Sequence, residues 1–78
     1  MRFYEVEGKL VAAGLIVMAN IYRNHYAVYR ASDRAFVAQV SLVKDRFDVS
    51  DLNGGNVKRT RDSGKCADLI LKRAEVSQ

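Results

Sequence analysis

The sequence predicts a small α+β fold, in which an antiparallel sheet of three to four strands, connected as a meander, packs against a C-terminal amphipathic helix. Between residues 25 and 61, apolar and polar side chains alternate with the period of two that is typical of strands. After residue 63, the apolar residues recur with the period of a helix. An apolar stretch at residues 10–19 adds an N-terminal apolar helix to the expected fold.

The chain has 78 residues, which predicts a single domain spanning residues 1–78. Its hydrophobic and charged fractions of 49% and 28% are typical of globular proteins. The one cysteine, Cys66, cannot form an internal disulfide, which favours a reducing, cytoplasmic location. Because a core of this size is small, a homodimer that buries more apolar surface is a further expectation.

Two segments rich in tyrosine, valine and phenylalanine, His25–Arg30 and Ala35–Val43, flank the turn-like sequence Ala-Ser-Asp-Arg and predict a hairpin. Strict alternation in the second segment places Phe36, Ala38, Val40 and Leu42 on one face. Residues 37, 39, 41 and 43 are then expected on the other face. Both faces of this strand are therefore expected to be partly covered.

A third strand is predicted at Arg46–Ser50, with Phe47 and Val49 facing inward, and the Asn-Gly-Gly sequence at 53–55 predicts a turn. Val57–Arg61 then returns as a short strand. Alternation places Arg59 and Arg61 on one face of it and Lys58 on the other. Such cations also protect a sheet edge from aggregation, and this interpretation competes with a role in binding.

The C-terminal helix is predicted to begin after an N-cap at Asp62 or Ser63, because the following apolar residues have helical spacing. These residues are Ala67, Ile70, Leu71 and Ala74. Near the N-terminus, Phe3–Val6 is expected to be a strand and Lys9–Tyr22 a helix, although the valines, isoleucines and tyrosines in this region suit strands equally.

The apolar run Leu10–Ala19 is about half of the ~20 residues that a membrane-spanning helix needs. Its length suits the core of a signal peptide, but Glu5 and Glu7 precede it as well as Arg2 and Lys9, so the positive bias of such a peptide is missing. We therefore interpret the run as core rather than as a signal peptide, and expect no membrane partner.

Residues suited to catalysis are few. The single histidine, His25, and Cys66 are far apart in the sequence, and structural zinc needs about four Cys or His ligands. His25 is expected to lie at the surface or beside a turn, and Cys66 to be a small buried residue of the helix. The sequence thus predicts a non-enzymatic binding protein with no cofactor and no metal site.

The excess positive charge is local. From residue 58 to residue 73, six basic residues stand against two acidic ones, which equals the whole net charge of +4. This distribution predicts a nucleic-acid-binding surface or a contact with an acidic protein surface. The predicted nucleic-acid-binding residues are Arg46, Lys58, Arg59, Arg61 and Lys65. A solvated helix face and edge protection explain some of the same cations without a ligand.

The alternative is a protein-binding module or inhibitor. Aromatic and cationic residues interleave between positions 22 and 30, a pattern used both in base stacking and in protein interfaces. The predicted protein-binding residues are Tyr22, Arg23, Tyr26, Tyr29 and Arg30. Tyrosines half-buried in a sheet would show the same pattern.

The element order over His25–Ala74 resembles the three-stranded sheet plus helix of phage integrase arm-binding and plant-type sheet DNA-binding domains. That resemblance implies that the Arg46–Arg61 hairpin enters the major groove of DNA. In size, the chain is also similar to small accessory proteins of phages and mobile elements, including inhibitors of host defence.

Overall fold

A computed structural model describes residues 3–20 and 24–76. The elements are α1 (Phe3–Ala12), β1 (Leu15–Asn20), β2 (His25–Arg30), β3 (Phe36–Val43), β4 (Arg46–Ser50), β5 (Lys58–Thr60) and α2 (Ser63–Val76). The strands form one antiparallel sheet in the order β1-β2-β3-β4-β5. The α+β meander is therefore confirmed, but the sheet has five strands rather than three to four.

An N-terminal helix is present, as predicted, but the bounds predicted for the N-terminal elements were wrong. Phe3–Val6 belongs to α1 rather than to a strand, and the segment expected to be a helix from Lys9 to Tyr22 contains only the end of α1 before it becomes β1. Gly14 separates the two elements with a φ of 86°, a conformation that ends a helix and that glycine adopts easily. Residues 21 and 22 lie outside the described residues. The apolar run 10–19 is thus divided between a helix end and a strand.

Both helices pack on one face of the sheet. In α1, Phe3, Val6 and Leu10 are buried on one stripe, and in α2 the buried side chains are Cys66, Ala67 and Ile70. They meet the buried sheet residues Leu15, Val28, Val37, Ala38, Val40, Phe47 and Val49 in a single core. No helix of residues 3–20 or 24–76 is long and apolar enough to cross a membrane.

A β-bulge in β3 changes the predicted alternation. Val28 pairs with Ala38, but the next residue of β2, Tyr29, pairs with Phe36, so that Val37 is an extra residue. Phe36 therefore lies beside Tyr29, away from the helices, and Val37 is buried. The prediction that Phe36 shares a face with Ala38 and Val40 was wrong because strict alternation does not anticipate a bulge.

Several other local predictions are confirmed, although the short strand predicted at Val57–Arg61 spans only Lys58–Thr60. Asp62 caps α2 by accepting a hydrogen bond from the backbone N–H of Lys65 at 3.0 Å. Phe47 and Val49 face inward. Lys58 pairs with Val49 and Arg59 pairs with Asp48, so Lys58 and Arg59 lie on opposite faces of the sheet. The homodimer stays a prediction.

Candidate functional site

The face of the sheet opposite the helices is called the open face. Its apolar part surrounds a shallow hollow of about 460 Å³, lined by Ile16, Met18, Tyr29 and Arg34. Met18, an apolar residue of β1, is 60% exposed. Tyr29 meets Phe36 edge to face, with ring centroids 5.8 Å apart. The sheet thus presents an aromatic pair and an exposed thioether on this side.

A chain of hydrogen bonds crosses the open face. Gln39 donates its amide N–H to the carbonyl oxygen of Asp51 at 2.8 Å. Its side-chain oxygen accepts a hydrogen bond from His25 Nε2 at 2.7 Å. The partner that orients His25 on β2 is thus the neutral amide of Gln39. The two side chains form a polar patch and not an acid–base pair.

Three arginines lie at the end of the sheet where β4 begins and β5 ends. Arg46 Nε donates to Asp48 Oδ1 at 3.1 Å, and Arg59 Nε lies 3.6 Å from the same oxygen. Arg61 Nε is 3.5 Å from Asp45 Oδ2. We call this set, Arg46, Arg59 and Arg61 with Asp45 and Asp48, the β5 surface. Three positive charges stand there against two negative ones.

The predicted nucleic-acid-binding residues do not all share this surface. Lys58 extends from the helix-covered face of β5, opposite to Arg59. Lys65 is exposed in the first turn of α2, four residues after Arg61. The structure therefore brings Arg46, Arg59 and Arg61 together, places Lys65 on the adjoining helix and separates Lys58 from them.

Lys58 belongs to a second cationic region, which we call the groove. It is a depression of about 480 Å³ between the C-terminal half of α2 and the start of β5. Its lining residues are Val37, Asp51, Asn56, Lys58, Leu69, Lys72 and Arg73. Arg73 Nη2 donates a hydrogen bond to the carbonyl oxygen of Asn56 and so fixes the β4–β5 loop against α2. The groove thus has an apolar floor, a cationic rim and a wall formed by the β4–β5 loop, which is hydrogen-bonded to α2.

The groove was not predicted as a site. Its cations were counted in the charge excess between residues 58 and 73, part of which a solvated helix face explains without a ligand. Val37 lies on the floor of the groove because of the bulge in β3, and no sequence pattern predicts that bulge. The spacing of Leu69, Lys72 and Arg73 along one side of α2 was the available signal.

The predicted protein-binding residues are divided between both faces. Tyr26 stacks on Phe3 of α1 with ring centroids 3.8 Å apart, and hence lies under the helices. Arg30 is also on that side, where its guanidinium forms a bidentate pair with Asp33 and donates to the carbonyl oxygen of Ala74 at 3.4 Å. Of the described members, only Tyr29 lies on the open face. Tyr22 and Arg23 lie outside the described residues, and the set as a whole stays a prediction.

Within residues 3–20 and 24–76, two titratable groups have shifted pKa values. Hydrogen bonds from Arg30 and from the backbone N–H of Ala35 lower the pKa of Asp33 from its usual value, which strengthens this turn at neutral pH. Burial raises the pKa of Cys66 to about 12. Cys66 is fully buried, which confirms the prediction that it is a small core residue of the helix.

The chain has no match among protein-family models, curated proteins or solved structures in the comparisons made with each.

Proposed function

We propose that the chain is a non-enzymatic nucleic-acid-binding protein that contacts phosphates through the β5 surface. The observation that supports this proposal best is the exposure of its arginines: the side chain of Arg59, on the edge strand β5, is 64% exposed, and that of Arg61, directly after this strand, is 77% exposed. Phosphate contacts of this kind, made by arginine and lysine, supply most of the affinity in sequence-independent binding. A cytoplasmic location belongs to the same proposal.

The aspartates of the β5 surface matter for this proposal. The pair of Arg61 with Asp45 joins two exposed side chains and contributes only about 0–1 kcal/mol, so a phosphate can replace that carboxylate as the partner of Arg61. Asp48 nevertheless competes with phosphate for both Arg46 and Arg59, because its Oδ1 lies within 3.6 Å of each Nε. Moderate affinity that depends on salt is therefore expected, rather than tight binding.

The first test is a salt titration with mixed-sequence DNA duplexes, single-stranded DNA and RNA. If the three arginines each neutralise one phosphate, log K should fall with log salt with a slope of about −2.7 on duplex DNA. Lack of binding to all three probes at about 50 mM salt would contradict the proposal. Binding that is independent of salt would exclude phosphate contacts as its source.

Substitutions sharpen this test. Arg59→Gln should weaken binding about threefold to tenfold at low salt and reduce the slope by about 0.9, because one phosphate contact is lost. Arg34→Gln is the matched control, since it removes the same charge from an exposed arginine beside the apolar hollow. Equal losses in both variants would indicate an effect of net charge alone.

Asp48→Asn should strengthen nucleic-acid binding about threefold, because the amide keeps an acceptor for Arg46 but no longer competes with phosphate through its charge. This direction distinguishes a binding role from edge protection, which predicts no gain in affinity.

If the three nucleic-acid probes fail to bind while a protein is captured in a stoichiometric complex, the result favours the second candidate function. That candidate is a protein-binding module, such as a phage or mobile-element inhibitor that acts on a host complex.

A further inference from the structure

We propose that the groove binds an acidic peptide segment of a protein partner, in addition to the nucleic-acid binding assigned to the β5 surface. The segment would place an apolar side chain on the floor formed by Val37 and Leu69. Its carboxylates would then lie between Lys58 and Lys72 on the rim. All four residues line the same depression of about 480 Å³.

The charge of the groove favours an anionic occupant. Lys58 and Lys72 are exposed, and neither forms an ion pair with a carboxylate of the described residues. The carboxylates nearest to Lys72 along α2, Asp68 and Glu75, are exposed and do not form ion pairs with it. Of the residues that line the groove, the two lysines carry positive charges on the rim and Asp51 is the one acidic residue.

The one acidic group of the groove is already engaged. Asp51 Oδ1 accepts hydrogen bonds from the backbone N–H groups of Asn53 at 3.1 Å and Gly55 at 2.7 Å, and its Oδ2 accepts one from Asn56 Nδ2 at 3.1 Å. Asp51 therefore shapes the β4–β5 loop instead of pairing with the lysines. Both ammonium groups remain available to an incoming carboxylate.

The floor and the shape favour a peptide over a nucleic acid or a free acyl chain. A phosphodiester backbone gains little from the apolar surface of Val37 and Leu69, whereas an aliphatic side chain buries it favourably. The groove is open to solvent along one side, so a long acyl chain would stay partly hydrated. A peptide can bury one side chain and leave its backbone in water.

The test is an NMR titration of the full chain with three short synthetic peptides. The first repeats Glu-Glu-Leu, the second replaces each Leu by Ser, and the third replaces each Glu by Gln. We expect the first peptide to shift the amide signals of Val37, Leu69 and Lys72, and to bind at least about fivefold more tightly than either control peptide. Equal affinity for all three peptides, or shifts confined to the β5 surface, would overturn the proposal.

Two lysine substitutions test whether the Glu-Glu-Leu peptide binds in the groove. Lys72→Ala should weaken binding of the Glu-Glu-Leu peptide about twofold to fivefold. Lys65→Ala is the matched control, because it removes an equally exposed lysine from the same helix outside the groove. Equal weakening by both substitutions would contradict a specific site, as would a mixed-sequence single-stranded DNA that shifts the groove signals more strongly than the peptide. Both outcomes are independent of whether the β5 surface binds nucleic acid.

Discussion

Cys66 illustrates how burial decides the chemistry of one side chain. It lies in the first turns of α2, where a helix N-terminus can lower the pKa of a thiol and make it reactive. Its complete burial among apolar side chains has the opposite effect and raises the pKa to about 12. Desolvation of the thiolate therefore outweighs the helix dipole, and Cys66 acts as a packing residue.

We expect the thiol of Cys66 to resist an aromatic disulfide reagent at about pH 8, because a pKa of about 12 leaves only about one thiolate in ten thousand molecules. Labelling should then follow transient unfolding and accelerate with denaturant. The chain unfolded in denaturant, where the thiol reacts rapidly, is the control. Rapid labelling of the native chain would show that the thiol is accessible and would contradict the burial of this residue.

Tyr26 and Tyr29 show why a residue pattern alone could not define the candidate site. The interleaving of tyrosine and arginine was predicted to form one surface, but residues three apart in a strand face opposite sides of a sheet. Tyr26 thus stacks on Phe3 under the helices, and Tyr29 lies on the open face. The alternation could have been applied to this segment, whereas the stacking on Phe3 depends on a helix that the sequence did not predict.

At the scale of elements, the second half of the fold was predictable and the first half was not. From β2 onward, the strands alternate apart from the bulge in β3, and the turns at residues 31–34 and 51–56 contain residues that favour turns, so local and tertiary preferences largely agree. In residues 3–20, β-branched residues follow a segment whose helical stripe consists of only Phe3, Val6 and Leu10. Gly14 lies within the segment predicted as one helix, but it marks the end of α1 and the entry to β1.

Gly8 and Gly14 provide a matched pair to test this boundary. Gly14 has a φ of 86°, so Gly14→Ala should lower the free energy of unfolding by about 1 kcal/mol through backbone strain. Gly8 lies within α1 with nothing near its Cα that a methyl group would meet, so Gly8→Ala should raise that free energy by about 0.5–1 kcal/mol. Denaturant unfolding measures both. If Gly14→Ala stabilises the chain as Gly8→Ala does, the helix does not end where the structure places its end.

At the scale of the whole molecule, β5 separates two cationic regions by the geometry of a strand. Arg59 extends toward the open face and Lys58 toward α2, because neighbouring residues of a strand face opposite sides. A single run of basic residues in the sequence therefore supplies two surfaces with different surroundings. The β5 surface places arginines beside two aspartates, whereas the groove places lysines above an apolar floor.

This separation predicts that the two surfaces act independently. Asp48→Asn should change nucleic-acid affinity without changing affinity for the Glu-Glu-Leu peptide, and Lys72→Ala should do the reverse. Their effects in the double variant should add to within about 0.5 kcal/mol, because the residues share no contacts. The measurement is a pair of titrations for each variant at about 150 mM salt, where the Debye length of about 8 Å limits coupling through the solvent. If DNA and the peptide instead compete for the unmodified chain, the two cationic regions form one continuous surface, because ligands on opposite sides of β5 would not displace each other.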